Sequence, residues 1–250
     1  MSRPGYAFVA ALKACAKLKD AKRGVEIHEE VARIGLLETN LFISSTLIDM
    51  YAKCGLLSRA HKVFTKIRAP NVVVWTALIA GYVEHIGCLR QMCLKGVSPN
   101  AVTFECCVKA CGDSRAMTEG QEIHAEMARM GFLQHNHLAG SALVEMYVKF
   151  NMLVKAEQVL DELPVGDAII WNVLIAGYIE QGRSQEALDC FQRMQEEGLS
   201  PNIVSYIYIL KACGSTGTIG KGEEIHSMIV DKDLLKKDIM VGNALVDMYA

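Results

Sequence analysis

Apolar residues recur along this chain with the period of an α-helix, in pairs of segments separated by short breaks. Between residues 168 and 202 they lie three and four positions apart, stop at a glycine, and then resume with the same spacing. The residues concerned are Val173, Leu174, Tyr178 and Ile179, then Gly182, then Ala187, Leu188, Phe191 and Met194. The pattern predicts two amphipathic helices joined by a short turn. Gly198 suits the position after the second helix, and Pro201 prevents that helix from continuing.

The same pair of helices is predicted several times along the chain. WNVLIAGYIE at 171–180 matches WTALIAGYVE at 75–84, while other stretches carry LKAC followed by GxEIH, or text similar to LIDMYAK. Offsets of 96 and 102 residues between equivalent positions divide the chain into repeats. The long repeats are 5–40, 101–136 and 203–238; the short repeats are 41–71, 137–167 and the partial 239–250; the standard repeats are 72–100 and 168–202. One helical pair cannot bury its apolar face alone, so the repeats predict an all-α solenoid of stacked helix-turn-helix units with a groove.

The standard repeat 72–100 is six residues shorter than the standard repeat 168–202. When Glu84 is aligned with Glu180 and Cys88 with Cys190, the three residues His85–Gly87 stand opposite nine residues, 181–189. The missing residues fall on the turn and on the start of the second helix. Because a helix reversal needs at least two connecting residues, we predict a strained turn at His85–Gly87 and looser stacking against repeat 101–136.

Composition narrows the class of protein. The chain is 51% hydrophobic and 22% charged, which excludes disorder, and its net charge of −2 excludes binding of nucleic acid through bulk positive charge. We expect no membrane span, because no apolar run is long enough, and the odd number of cysteines, nine, favours a reducing compartment. The pattern stops within a repeat at Ala250, so we expect a fragment, with any targeting peptide upstream of Met1.

Residues that could support catalysis or bind a metal do not form a recognisable set. The histidines of GxEIH lie about a hundred residues apart and are repeat positions; they are His28, His124 and His226. Cys107 and Cys111 share a predicted helix face, but no further ligands complete a tetrahedral site. Phosphate-binding and hydrolase motifs are missing as well. We therefore predict no catalytic residues, no metal, no cofactor and no small-molecule substrate.

Two columns of polar residues recur at fixed positions in the repeats. The fifth residue of the short and standard repeats is small and polar: Ser45, Thr76, Ser141, Asn172 and Asn243. Helix interiors disfavour such residues, so the column indicates a polar row along one groove. The last residue of every complete repeat is Asn or Asp: Asn40, Asn71, Asn100, Asn136, Asp167, Asn202 and Asp238. Helix capping alone accounts for this second column, so capping and ligand binding both remain open for it.

The repeats resemble pentatricopeptide repeats over residues 5–250, because they share the pattern WNxLIxGYxxxGxxxEALxxFxxMxxxGxxPN. The alternation of 36, 31 and 35 residues resembles the plant subclass that alternates long, short and standard repeats. The resemblance implies a right-handed superhelical solenoid that binds single-stranded RNA at one base per repeat and performs no chemistry itself. It also implies a chloroplast or mitochondrial location, a role in organellar RNA processing or C-to-U editing, and editing-factor proteins as partners.

At the level of residues, the resemblance implies that the fifth and last residues of a repeat read the base edge and that the second residue sandwiches the base. The implied reading pairs are Ser45 with Asn71 and Thr76 with Asn100 for adenine, Ser141 with Asp167 for guanine, and Asn172 with Asn202 for a pyrimidine, while Asn243 has no partner. The implied sandwiching residues are Phe42, Val73, Leu138, Ile169 and Met240. An apolar stripe of this kind is more often part of a core.

The long repeats carry apolar or acidic fifth residues, namely Val9, Glu105 and Ile207, so the resemblance implies that they space the RNA rather than read it. The implied target is x-A-A-x-G-Y-x. Lys53 and Lys149 could meet phosphate, although solvated lysines are the better account of each. The alternative function is a protein-binding scaffold of the tetratricopeptide type, which the nearly neutral charge favours.

Overall fold

Each complete repeat contains a first and a second α-helix, and the long repeats 5–40 and 203–238 also contain a short third helix near their ends. The computed structural model describes residues 3–81, 85–134, 136–164 and 167–250, and the regular elements within those ranges are all helical. In chain order the α-helices are α1 (Arg3–Leu18), α2 (Ala21–Arg33), α3 (Leu36–Thr39), α4 (Leu41–Lys53), α5 (Leu57–Thr65), α6 (Val72–Ile79), α7 (His85–Leu94), α8 (Ala101–Ser114), α9 (Met117–Arg129), α10 (His137–Lys149), α11 (Leu153–Glu162), α12 (Ala168–Glu180), α13 (Ser184–Glu196), α14 (Ile203–Thr216), α15 (Ile219–Asp231) and α16 (Ile239–Tyr249). A short 3-10 helix, Leu234–Lys236, precedes α16.

The chain divides into two compact lobes, an N-terminal lobe (Met1–Met130) and a C-terminal lobe (Gly131–Ala250). In the N-terminal lobe, the first helices of successive repeats pack side by side in the order α1, α4, α6 and α8. The C-terminal lobe stacks α10, α12, α14 and α16 in the same way, and in both lobes the second helices pack against the first. Large side chains such as Tyr51, Trp75 and Trp171 are buried between these layers. Each lobe therefore has the stacked arrangement that the repeats predict.

The C-terminal end of the standard repeat 168–202 has the structure that its sequence predicts. Gly198 has a φ of +77°, in the left-handed region that glycine tolerates best. Its N–H donates to the Gln195 carbonyl at 2.9 Å, and the N–H of Leu199 donates to the Met194 carbonyl at 3.1 Å. These two bonds satisfy carbonyls at the end of α13 that no helical N–H can reach. The prediction that Gly198 ends the second helix is confirmed.

The prediction of a strained turn at His85–Gly87 is wrong, because these three residues form the first turn of α7. The chain accommodates the missing residues mainly by shortening the first helix, since α6 has 8 residues whereas α12 has 13. Residues 82–84, which connect α6 to α7, lie outside the described residues. Ending a helix early forfeits only a few hydrogen bonds at its terminus, so it is less costly than forcing a helical reversal through three residues. The looser stacking against repeat 101–136 stays a prediction.

Long and short repeats interlock through two pairs of residues. A Cβ atom built on Gly24 would lie 2.5 Å from Met50 Sδ, so a larger residue here would require the Met50 side chain to move. Four residues further along α2, His28 Nδ1 lies 2.7 Å from the hydroxyl of Tyr51, which follows Met50. Burial, followed by the positive charges of Lys66 and Arg59, lowers the pKa of His28, which favours a neutral ring in this contact with Tyr51.

The same two pairs recur in the C-terminal lobe. A Cβ atom on Gly222 would lie 2.6 Å from Met248 Sδ, and His226 Nδ1 lies 3.1 Å from the hydroxyl of Tyr249. The glycine and the histidine of the GxEIH motif in a long repeat thus contact the methionine and the tyrosine of the Asp-Met-Tyr sequence in the following short repeat. These histidines therefore have a packing role, in agreement with their interpretation as repeat positions.

Candidate functional site

The second residues of all eight repeats are apolar and exposed. The five that the resemblance singles out range from Phe42, which is 46% exposed, to Ile169, which is 64% exposed, with Val73, Leu138 and Met240 between them. The long repeats show the same feature at Tyr6, Val102 and Val204. An isolated exposed apolar side chain needs no explanation, but one at the same place in every repeat does. These side chains are not part of the core, which is where an apolar stripe would usually lie.

Three shallow hollows lie between successive first helices, on the side where the second residues emerge. The hollow in the N-terminal lobe, of about 390 Å³, is lined by Phe42 and Ser45, by Val73 and Thr76, and by Asn100. It therefore brings together the second and fifth residues of two adjacent repeats with the last residue of one of them. Predicted sandwiching and reading positions share one surface here.

In the C-terminal lobe, two hollows repeat this arrangement. One, of about 390 Å³, is lined by Ile169, Asn172 and Asn202, which are the second, fifth and last residues of the intact standard repeat. The other, of about 420 Å³, is lined by Met240 and Asn243. The linings of these three hollows do not include the remaining predicted residues, which are Asn71, Leu138, Ser141 and Asp167.

The fifth residues differ in what their polar atoms already bind. Ser45 donates to the carbonyl of Phe42 at 3.0 Å and Ser141 to that of His137 at 2.6 Å, so both hydroxyls are satisfied within their own helices. Thr76 donates to the Val72 carbonyl at 2.8 Å and lies 2.9 Å from the hydroxyl of Thr103 in the next repeat. Asn243 is exposed.

Asn172 is the most constrained of the fifth residues. It is only 6% exposed, and its Nδ2 donates to Asn202 Oδ1 at 3.1 Å across two helices. Its own Oδ1 is buried and has no hydrogen-bond partner in the part of the chain that the structure describes. A buried acceptor without a donor costs free energy unless a ligand supplies the donor.

All seven last residues stand at the N-cap of a first helix, and six of them accept a backbone hydrogen bond there. The six capping residues are Asn40, Asn71, Asn100, Asp167, Asn202 and Asp238. Asn136 makes no such bond. Six of the seven last residues therefore cap a helix, which is one of the two roles that the sequence left open for them.

Two of these caps are more elaborate than the others. Asn100 Oδ1 accepts from both the N–H and the hydroxyl of Thr103, each at 2.9 Å. Asn202 Oδ1 accepts from the N–H of Ser205 at 3.0 Å and from its hydroxyl at 3.2 Å. In both, the hydroxyl accepts in turn from the backbone N–H of the asparagine, which completes a capping box. Sequence reasoning missed Thr103 and Ser205, although a hydroxyl three residues after an N-cap is a recognisable signal.

The lysines that the sequence offers for phosphate contact are already paired. Lys53 Nζ lies 2.8 Å from Asp49 Oδ2, and Lys149 Nζ lies 4.0 Å from Glu145 Oε1. Both pairs join residues one turn apart on the same helix, so each lysine is neutralised by its neighbour.

The described residues contain neither a group of side chains placed to bind a metal ion nor a helix that could span a membrane. No group of three or more His, Cys, Asp or Glu side chains there is placed to hold a metal ion. Cys107 and Cys111 are buried, and burial raises the pKa of both thiols, that of Cys111 to about 12, so they stay protonated and are poor ligands. In that part of the chain, none of the helices has the length and apolarity that crossing a bilayer requires.

Comparison with known families supports this geometry. Residues 42–69 match the model of the PPR repeat, and residues 166–215 match a second model of the PPR repeat family. These two segments are pentatricopeptide repeats. It is 34% identical to a chloroplastic and to a mitochondrial pentatricopeptide repeat-containing protein of Arabidopsis thaliana, over 98% and 96% of its length. It spans only 40% and 38% of the lengths of those two relatives.

The crystal structure of the pentatricopeptide repeat protein PPR10 from maize matches the fold of this chain. The TM-score is 0.58 with 19% sequence identity, over 96% of this chain and 41% of the maize protein. At this identity the match concerns the fold alone. The predicted fold class, an all-α solenoid of stacked helix-turn-helix repeats, is confirmed.

Proposed function

We propose that this pentatricopeptide repeat array binds single-stranded RNA in a sequence-preferring manner and performs no chemistry of its own. The observation that carries the proposal is the exposed apolar second residue of every repeat, because six of these residues line hollows that also contain polar fifth or last residues. Apolar side chains that stand in open solvent at a fixed repeat interval suit the flat faces of successive bases. The polar fifth and last residues beside them supply hydrogen bonds to base edges.

Capping and base reading use different atoms of the same asparagine. The backbone N–H of Ser205 can only donate, so the Asn202 atom that faces it is Oδ1. This leaves Asn202 Nδ2 as a donor, while the buried Asn172 Oδ1 remains an acceptor without a partner in the described chain. Together they offer one donor and one acceptor, which is what the edge of a base requires. The capping box fixes the orientation of the reader and does not compete with it.

An RNA titration tests this function. We would measure the affinity of the chain for labelled single-stranded RNAs that match x-A-A-x-G-Y-x and for RNAs of scrambled sequence. Replacement of Asn172 and Thr76 by alanine should reduce the preference for the matching RNA by roughly 1–3 kcal/mol for each base that is no longer read. Gln192→Ala is the matched control, because Gln192 is an exposed amide on α13 whose side chain donates to Glu196 on the same helix.

Two outcomes would contradict the proposal. If the unmodified chain shows no preference among RNAs and the double variant loses nothing, the protein-binding scaffold of the tetratricopeptide type becomes the better account. Deaminase activity of the chain would overturn the statement that it performs no chemistry.

We also propose that the protein acts in a chloroplast or mitochondrion, in RNA processing or C-to-U editing, as the part that recognises the transcript. The chloroplastic and mitochondrial names of the two relatives support this location. Editing-factor proteins would be its partners. Sequencing of organellar transcripts from plants that lack the protein tests the role, because unedited or unprocessed sites should then appear.

A further inference from the structure

The ninth residue of a repeat is basic, acidic or uncharged according to the type of repeat. It is lysine in the three long repeats, acidic in the three short repeats and alanine in the two standard repeats. The residues are Lys13, Lys109 and Lys211, then Asp49, Glu145 and Asp247, then Ala80 and Ala176. A general need for solubility would not separate the charges by repeat type in this way. The long repeats therefore supply something that the other repeats lack.

Two of these lysines lie on the surface where the predicted RNA contacts converge. Lys13 lines the hollow that contains Phe42, Ser45 and Thr76, and its Nζ lies 5.9 Å from the centre of the Phe42 ring. Lys211 lines the hollow that contains Met240 and Asn243. Both side chains are exposed. Each lysine thus lies beside the second residue of the short repeat that follows it.

These two lysines are also the ones without a carboxylate partner. Lys13 and Lys211 form no hydrogen bond or ion pair within the described residues, whereas Lys109 Nζ lies 2.6 Å from Glu105 Oε1. The difference arises at the fifth position, where the other two long repeats carry Val9 and Ile207 in place of Glu105. The apolar fifth residues therefore leave the ninth-position lysine free to meet another anion.

We propose that Lys13 and Lys211 bind backbone phosphates of single-stranded RNA, so that the long repeats hold the strand while the short and standard repeats read it. The inference rests on the proposed function. Phosphate contacts fix a strand in register without reading its sequence, which fits repeats whose fifth residues cannot read a base. The hollow of repeat 168–202 carries Glu145, Glu180 and only one lysine, Lys149, so it does not favour phosphate.

Neighbouring charges determine how strongly each of the three ninth-position lysines can attract a phosphate. Asp49 lies in the same hollow as Lys13, but it is engaged by Lys53. Asp247 lies in the same hollow as Lys211 and has no ion pair among the described residues, so it weakens the attraction for phosphate there. Lys109 is paired directly with Glu105. The expected contribution therefore falls in the order Lys13, Lys211, Lys109.

Salt dependence of RNA binding tests the proposal. We would measure the affinity of the full chain for the matching and the scrambled single-stranded RNA over a range of KCl concentrations. Each phosphate contact in a single strand contributes about 0.7 to the slope of log K against log salt. The double variant Lys13→Gln, Lys211→Gln should therefore lower the slope by about 1.4, using this value of about 0.7 per contact. Its affinity should fall by the same factor for both RNAs.

Matched controls separate this effect from a change in net charge. Lys22→Gln with Lys62→Gln removes two exposed lysines on the second helices α2 and α5, and the slope should stay unchanged. Lys109→Gln should change the slope less than Lys13→Gln does. Thermal unfolding followed by circular dichroism checks that each variant is folded.

Three results would overturn the inference or its basis. If the unmodified chain binds no RNA, the proposed function fails and the inference fails with it. If the chain binds but the double variant keeps the full slope, the phosphate inference alone is wrong. If the double variant alters the preference between RNAs without altering the slope, these lysines read bases and do not hold the backbone.

Discussion

The two standard repeats differ in length but share the same beginning and the same end. Repeats 72–100 and 168–202 begin at a capped helix and end on the same glycine turn, since Gly96 repeats the bonds of Gly198. They differ in the middle, because α6 and α7 have 8 and 10 residues whereas α12 and α13 have 13 each. The first helix of the shortened repeat is thus shortened at its C-terminal end, whereas Val73 and Thr76 lie nearer to its N-terminal end. A repeat can shorten there and still present its second, fifth and last residues to the groove.

An open hollow lies beside the second helix of the shortened repeat. A hollow of about 420 Å³ lies between α7 and α9 and is lined by Ile86, Leu89 and Leu94, and Leu94 is 85% exposed. Leu89 and Met92 remain buried, as do Phe191 and Met194 in the equivalent places of the intact repeat. The shortened repeat therefore keeps its buried core residues and has an open hollow beside them.

The largest expected difference concerns the two equivalent methionines, Met92 and Met194, which are both fully buried. Replacement of a buried methionine by alanine costs about 2–5 kcal/mol, and less where the surroundings can close the cavity. We expect Met194→Ala to lie near the upper end of that range and Met92→Ala near the lower end, because α7 borders an open hollow. Urea unfolding of both variants measures the two costs, and equal costs would show that the shortened repeat is packed as firmly as the intact one.

A difference of intermediate size is expected in hydrogen exchange. The amides of α7 from Leu89 to Leu94 should exchange at least about tenfold faster than those of α13 from Phe191 to Glu196, which corresponds to about 1.4 kcal/mol in opening free energy. Native-state exchange followed by mass spectrometry or NMR measures this. Equal protection of the two helices would remove the prediction of looser stacking against repeat 101–136.

The smallest expected difference concerns the two capping boxes. Loss of an N-cap costs typically about 1 kcal/mol, so Asn100→Ala and Asn202→Ala should both destabilise the chain. Asn202→Ala should cost about 1 kcal/mol more, because it also removes the acceptor of Asn172 Nδ2, whereas the hydroxyl of Thr76 donates to the Val72 carbonyl. Urea unfolding measures this as well. A larger loss for Asn100→Ala would mean that the bond between Asn172 and Asn202 contributes nothing.

The local features of the fold could be predicted from the sequence because local chemistry sets them. Helical period, the glycine turn at Gly198 and the asparagine caps each depend on residues close in the chain. The outcome at His85–Gly87 could not be predicted, because an alignment shows how many residues are missing but not which helix becomes shorter. That choice depends on the packing of α6 and α7 against their neighbours.

The sequence could predict which repeat positions form the candidate site, but not which of their side chains are exposed or contact one another. Periodicity cannot distinguish an exposed apolar stripe from a buried one, so the exposure of Ile169 and Met240 had to come from the structure. The bond from Asn172 to Asn202 joins residues 30 positions apart and depends on how two helices stack. The unpaired state of Lys13 depends on its surroundings, although the ninth-position column that marks it was visible in the sequence.

The contacts of Gly24 with Met50 and of His28 with Tyr51 have a consequence for protein engineering. A designer who recombines such arrays would treat each repeat as an exchangeable cassette. A long repeat placed before a partner without the Met-Tyr pair would leave a void beside the glycine and an imidazole without its phenol. The smallest portable cassette in this chain is therefore a long repeat together with the short repeat that follows it.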